Sequence, residues 1–270
     1  MWLKAPTNLE LLSNEVHIWR ENLDNVEPLL EDFAQLLSED ELVRARRFHF
    51  EQHRQRFIAG RGILRSILGR YLNIEPSQIN FGYEPRGKPF LVGITQQQWN
   101  SSHCDVRKQS HNSELIQVTN SSSESNFNKI NLCFNLSHSG DYALYVMSLN
   151  NSIGVDLECI NSTTDVVSLA QRFFLPSEFA VIESASPEQQ QQLFFRYWTC
   201  KEAYLKATGT GLKDLQKVEI SLTPEQPAEL NIPDISGEWS LLEIQPFYNC
   251  AATVACTGRD LEFKYWDYCS

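Results

Sequence analysis

WTCKEAYLKATGTGL, residues 198–212, sets Lys201, Glu202 and Lys206 among Trp198, Ala203, Tyr204 and Leu205. At 3.6 residues per turn, Trp198, Glu202 and Lys206 fall at i, i+4 and i+8 and share one stripe of a helix. Gly209 and Gly211 supply its stop. In isolation, a carboxylate and an ammonium on one stripe read as a surface ion pair. What decides otherwise is whether the chain offers something for the stripe to face.

IGVDLE, residues 153–158, is such a partner. On a strand, Asp156 and Glu158 point to one face while Val155 and Leu157 point to the other. Two carboxylates so placed repel unless a cation lies between them. Mg2+ suits that position, because it takes hard oxygen ligands, a few from protein and the rest from water and phosphate. A helix packed across this strand would bring Glu202 in as a third ligand and Lys206 near the same metal-bound phosphates. The charges would then be tolerated beside aromatics, where an unpaired buried charge is costly.

Three further segments carry groups suited to phosphate. NLSHSG, residues 135–140, places Ser137, His138 and Ser139 directly before an apolar run of strand length. Adjacent residues of an extended segment point apart and no GxSxG elbow is present, so a Ser/His nucleophile pair is disfavoured, whereas hydroxyl and imidazolium donors to a phosphate are sensible. PRGKP, residues 85–89, is a turn carrying Arg86 and Lys88, with Gly87 allowing a flat ligand close to the backbone. LVRARRFHFEQHRQRFIAGRGILRSILGR, residues 42–70, holds Arg44, Arg46, Arg47, Arg54, Arg56, Arg61, Arg65 and Arg70 against Glu51 alone. That segment reads either as a solvated helix face or as a place for a polyanion.

The pattern predicts a strand at 15–19, helices through 27–70 and a strand at 79–83. Residues 96–131, rich in Asn, Ser and Gln, read as a long surface insertion. Strands at 142–149 and 152–160 follow, then helices from VVSLAQRFF, LPSEFAVIES and QQQQLFFRYWTCKEAYLKATG, and a C-terminal third that alternates as strands do. RARRF with its basic helix is echoed by AQRFF with FRYWTCKEAYLKA. The echo permits a duplicated unit, an N-terminal half over 1–150 and a C-terminal half over 151–270, with a ligand cleft between them.

With 270 residues and 42% hydrophobic content the chain can bury a large core or two smaller ones. The formal charge of −11 argues against general nucleic-acid binding. The first residues lack a basic segment followed by an apolar one, and no run of about 18 apolar residues occurs. No membrane association is expected. Seven cysteines form an odd set with no CxxC pair, which fits a reducing cytoplasm and indicates neither a zinc ribbon nor a disulfide framework. His103, Cys104 and His111 lack metal-ligand spacing and read as loop.

The ordered combination of RRF with a basic helix, RGKP, FNLSHSGDY, IGVDLE and FFRYWTCKEAYLKATGTGL resembles the phosphopantetheinyl transferase superfamily, and within it the larger, pseudo-dimeric Sfp-type class. The resemblance implies an α+β fold of two similar α/β halves in pseudo-two-fold arrangement, with the active site in the cleft between them. It implies transfer of the phosphopantetheine arm of coenzyme A to a serine of apo acyl, peptidyl or polyketide carrier proteins by a monomer, releasing adenosine 3′,5′-bisphosphate. Asp156, Glu158 and Glu202 would hold Mg2+, or Mn2+, on the coenzyme A diphosphate, and Lys206 would contact that diphosphate. Lys88, Ser137 and His138 would contact coenzyme A, the last two near its 3′-phosphate, with Arg44, Arg56 and Arg86 assisting. Trp198 would orient the catalytic helix. The general base stays open among Glu202, a metal-bound water and Glu178. Two other readings keep the same groups: a Mg-dependent coenzyme A diphosphate hydrolase, and a coenzyme A-binding regulator without turnover.

Overall fold

The structure, a computed structural model, describes residues 1–93, 131–223, 226–232 and 237–268. The surface insertion expected over 96–131 lies outside the described residues, apart from Asn131 at its end.

Twelve described strands form two main sheets and two ribbons. The first half runs β1 (Leu3–Lys4), β2 (Glu15–Asn22), α1 (Leu30–Leu36), α2 (Glu39–Ala45), α3 (Glu51–Leu72), the ribbon β3 (Asn80–Tyr83) and β4 (Pro89–Val92), then β5 (Leu132–Ser139) and β6 (Tyr142–Leu149). The second runs β7 (Ile153–Cys159), α4 (Val166–Phe173), α5 (Pro176–Glu183), α6 (Pro187–Thr208), the ribbon β8 (Ile220–Thr223) and β9 (Gln226–Leu230), then β10 (Trp239–Ile244), β11 (Cys250–Thr257) and β12 (Glu262–Asp267).

The two halves share a topology. Each opens with a strand, passes through short helices into a helix of 22 residues, makes a two-stranded ribbon, and returns as a hairpin whose second strand pairs antiparallel with the opening one. This gives the orders β2-β6-β5 and β7-β11-β10. β12 departs from the scheme by crossing over to lie parallel to β2, between it and β1. Residues 262–267 of the second half therefore complete the sheet of the first, and Lys264 on β12 pairs with the buried Glu15 on β2.

The two sheets meet at β5 and β7 without forming a ladder. Instead, the alternate side chains of β5 accept the odd-numbered N–H groups of β7: Asn135 Oδ1 from Val155 (3.0 Å), Ser137 Oγ from Leu157 (3.2 Å) and Ser139 Oγ from Cys159 (3.0 Å). An edge strand's unpaired donors are costly when buried. Three short polar side chains at i, i+2 and i+4 satisfy them, so the NLSHS motif is in the first place a seam.

α6 shows why its sequence mixes charges with apolar residues. Pro187 occupies its first turn, and the helix stops at Gly209, which is left-handed at φ +70°. Successive residues are turned by about 100°, so three stripes lie side by side. Tyr197, Lys201 and Leu205 face the core shared with α4 and α5. Thr199, Ala203 and Ala207 face β7 and β11, where Thr199 meets Thr253 at 2.9 Å. Trp198, Glu202 and Lys206 face the cleft.

Gly154 sets how closely this helix can approach. A Cβ at Gly154 would collide with the Ala203 carbonyl and the Ala207 nitrogen, so backbone meets backbone there. Gly154→Ala is expected to lower the unfolding free energy by about 1 to 3 kcal/mol, the usual cost of overpacking. Gly60→Ala in α3, where a Cβ meets only the Tyr145 hydroxyl at 3.7 Å, should be neutral or stabilising by up to about 1 kcal/mol. Thermal and urea denaturation of the two variants check the contrast.

Candidate active site

A cleft of about 1080 Å3 runs between the halves. One wall comes from α2, α3 and the 85–89 turn, the floor from β5 and β7, and the other wall from α6 and the segment that follows it. Arg44, Arg56, Arg86, Lys88, Ser137 and His138 all line it, as do Asp156, Glu158, Trp198, Glu202 and Lys206.

The even-numbered residues of β7 point toward α6. Lys206 Nζ lies 2.6 Å from Asp156 Oδ1 and 3.0 Å from Ser137 Oγ. Ser137 donates in turn to Asp156 Oδ1 (3.2 Å), and Ser139 donates to Glu158 Oε2 (3.0 Å). Each serine thus takes a β7 N–H and holds a β7 carboxylate. Ser137 is buried and bound into this seam while it also lines the cleft beside Lys206. Ser139, grouped with Ser137 and His138 by the sequence, meets a carboxylate of β7, and its i+2 spacing from Ser137, matching that of Asp156 and Glu158, was the available signal for this contact.

The carboxylates press on one another. Burial, and then Asp156, push the Glu202 carboxyl up to about 7. Burial and Asp156 also raise Glu158, against the opposing hydrogen bonds of Ser139 and Trp198. The Trp198 ring packs on Phe173, Phe174 and Phe194.

As folded, and among the described residues, no three His, Cys, Asp or Glu side chains are closed into a metal cage; Lys206 takes Asp156 Oδ1 instead. The donor set nevertheless fits a hard divalent cation. Asp156 Oδ2 is buried with no hydrogen-bond partner, and three mutually repelling carboxylates are the oxygen-rich chemistry that Mg2+ or Mn2+ prefers.

Other charged groups named by the sequence have partners within the protein. Glu178 lies on the far side of α6, buried and ion-paired to Lys201 at 2.8 Å, and it accepts the N–H groups of Leu175 and Ile220. It is removed as a general base. Lys88 puts its ammonium on the carbonyls of Ala207 (2.8 Å) and Ile153 (3.3 Å), tying the 85–89 turn to the end of α6 and the start of β7; burial lowers its pKa. Arg56 is held bidentate by Asp24 at 2.7 Å, and Arg86 makes a single contact with Asp214 at 3.1 Å.

The arginine-rich segment is largely neutralised. Arg46 pairs with Glu39, Arg54 with Glu51, and Arg61 and Arg65 both with the buried Glu41. Arg70 donates to the Pro6 carbonyl and lies over Trp19. Among the described residues, Arg44 and Arg47 have no carboxylate partner, and Arg44 stands over Phe57 on the cleft wall (5.4 Å). His138 shares that region. Desolvation within the cleft lowers its pKa, helped by Lys206 and Arg44.

A family model described as the 4'-phosphopantetheinyl transferase superfamily matches residues 152–256, and one described as 4'-phosphopantetheinyl transferase, N-terminal, matches residues 24–121. The 4'-phosphopantetheinyl transferase HetI of Nostoc sp. (strain PCC 7120) is 48% identical over 267 residues, covering 99% of this chain and 98% of its own. The chain belongs to the 4'-phosphopantetheinyl transferase superfamily. It is similar also to the 4'-phosphopantetheinyl transferase Sfp of Bacillus subtilis, 22% identical over 228 residues and covering 83% of this chain and 85% of that one, in keeping with the Sfp type. A crystal structure of Helicobacter pylori holo-acyl-carrier-protein synthase with coenzyme A superposes at a TM-score of 0.32, with 14% identity, over 50% of this chain and 99% of its own.

The raised Glu202 pKa has a thermodynamic consequence in metal-free protein. A carboxyl whose folded pKa lies above its unfolded value of 4.5 keeps its proton longer when folded. The associated stability is complete below that unfolded value and is lost as pH rises through about 7. Urea unfolding in chelator should lose roughly 2 to 3 kcal/mol across this window, and Glu202→Gln should flatten the loss. A wild-type profile that does not fall would show that the carboxyl ionises freely.

Proposed function

We propose that this protein moves the phosphopantetheine arm of coenzyme A onto a serine of apo acyl or peptidyl carrier proteins, releasing adenosine 3′,5′-bisphosphate. It is an enzyme of the transferase class, as its superfamily is. The observation that carries the reading is the meeting of Glu202 and Lys206 with Asp156 and Glu158 on the floor of one cleft.

The reaction forms one bond, from the serine oxygen to the phosphorus that bears the pantetheine arm, and breaks one, from that phosphorus to the bisphosphate oxygen. Asp156, Glu158 and Glu202 would hold Mg2+ or Mn2+, which when bound supplies positive charge against the diphosphate. Lys206, partly exposed to the cleft, adds a second positive charge where the leaving phosphate gains negative charge. With Glu178 turned away, Glu202 is the side chain assigned to the serine proton, a metal-bound water being the other candidate. Arg44, which has no carboxylate partner among the described residues, is the cation assigned to the 3′-phosphate, with His138 beside it. Arg56 and Arg86 already carry acidic partners and contribute less. Lys88 acts chiefly by holding the turn against α6.

We take residues 1–150 and 151–270 as the two halves, with β12 lent by the second to the first. The protein is taken to act as a monomer in the cytoplasm. Among the described residues no helix is long and apolar enough to cross a membrane.

Mass spectrometry of several apo carrier proteins incubated with the chain, coenzyme A and Mg2+ tests the reaction. A phosphopantetheine adduct on the carrier serine is expected, lost in Glu202→Ala, and release of free phosphopantetheine without an adduct would favour hydrolysis instead. Arg44→Ala should weaken coenzyme A by about 1 to 3 kcal/mol, the worth of a charge-assisted hydrogen bond. The use of dephospho-coenzyme A, which lacks the 3′-phosphate, should hardly change. Equal losses for both would withdraw the phosphate contact.

A further inference from the structure

Cys159 and Cys250 take no part in the chemistry above, yet they face one another across β7 and β11 with their sulfurs 3.2 Å apart. Theirs is a non-hydrogen-bonded pair of the ladder. The Cys159 N–H goes to Ser139 Oγ (3.0 Å) and the Cys250 N–H to the Phe247 carbonyl (3.4 Å). Such pairs hold their Cα atoms about 4.5 Å apart, within the span that a disulfide bridges. Cys133, Cys200 and Cys256 contact Asn131, Thr253 and Thr257 instead.

The two thiols differ in access. Cys159 is half-buried, whereas Cys250 is buried, and burial followed by its neighbour Cys159 pushes its thiol up to about 12. A small oxidant therefore meets Cys159 first, and Cys250 waits behind it as the second thiol.

We propose that Cys159 and Cys250 are a reversible oxidation site, closed by a low-molecular-weight disulfide such as oxidised glutathione. The Cys159 sulfur, its proton given to solvent, attacks one sulfur of the oxidant, whose S–S bond breaks and releases one thiol. The Cys250 sulfur, likewise deprotonated, then displaces the second thiol and forms the Cys159–Cys250 bond. The protein gives up two thiol protons and two electrons, and the two released thiols carry the electrons and take up two protons.

The bond would act on the site through Ser139. The Cys159 thiol donates to the Ser139 carbonyl at 3.2 Å, and the Ser139 hydroxyl donates to Glu158 at 3.0 Å. Oxidation removes that S–H donor and draws the Cys159 sulfur toward Cys250, to a bond of about 2.05 Å. The seam beside Glu158 loosens and turnover falls. This last consequence rests on the transferase reading; the cross-link does not.

The test incubates the full chain with oxidised glutathione and maps its peptides under non-reducing conditions, with the transfer rate measured in parallel. A Cys159–Cys250 peptide pair lacking two hydrogens is expected, together with a several-fold slower rate that dithiothreitol restores. Cys159→Ser, which has no sulfur to be attacked and whose hydroxyl can still donate to the Ser139 carbonyl, should keep its own untreated rate under the same treatment. Glutathione retained on Cys159 without a cross-link, or cross-linked protein that transfers at the full rate, would overturn the proposal. The map can be read whether or not the protein transfers, so reduced protein with no transfer at all would count against the transferase reading alone.

Discussion

The backbone contact between α6 and β7 at Gly154 is the constraint on which the rest of the molecule depends. With no side chain at Gly154 and only methyl groups at Ala203 and Ala207, the helix settles directly onto the strand. The adjacent stripe of the same helix then delivers Glu202 and Lys206 to the edge where β7 presents Asp156 and Glu158. A bulkier contact would lift that stripe away, and the carboxylates would no longer share a space. Lys88 holds the same junction from the other half, with its ammonium on carbonyls at the end of α6 and the start of β7.

The second requirement is that β7 stay an edge strand of its own sheet while buried against another. The row Asn135, Ser137 and Ser139 achieves this by satisfying backbone donors with side chains. Because the hydroxyls also donate, the seam between the halves and the orientation of the carboxylates are one network. Fold and site are thereby coupled: the interface that joins the halves also aims Asp156 and Glu158. The same coupling gives the Cys159–Cys250 pair, at the end of that seam, a route to the site.

Much of this was legible in the sequence, and what was not has specific causes. The stripe Trp198, Glu202, Lys206 and the strand pair Asp156, Glu158 follow from periodicity, so the heart of the cleft could be written down beforehand. The partner of each charge could not, because ion pairs join residues far apart in the chain. Glu41 neutralises Arg61 and Arg65 from 20 and 24 positions away, so most of the arginine-rich segment is paired within the protein, and among the described residues Arg44 is the unpaired cation of that segment on the cleft wall. Lys201, next to Glu202 in sequence, points into the core because one residue turns the helix by about 100°, and it takes Glu178 with it. Gly154 looked like an ordinary strand residue; only the small side chains of α6 opposite it reveal the close approach. The crossover of β12 had no signal in its alternating pattern, which says that a strand exists but not which sheet receives it.

The most direct test of this account is whether one divalent cation draws on both α6 and β7. Mn2+ binding, followed by electron paramagnetic resonance of the free ion, should be measured for the wild-type protein and for Asp156→Asn, Glu158→Gln and Glu202→Gln, with folding checked by circular dichroism. The account predicts that each substitution weakens Mn2+ by about tenfold or more, the equivalent of one charge-assisted contact. Wild-type affinity in folded Glu202→Gln would mean that the helix contributes nothing to the cation, and the helix-on-strand site would be contradicted.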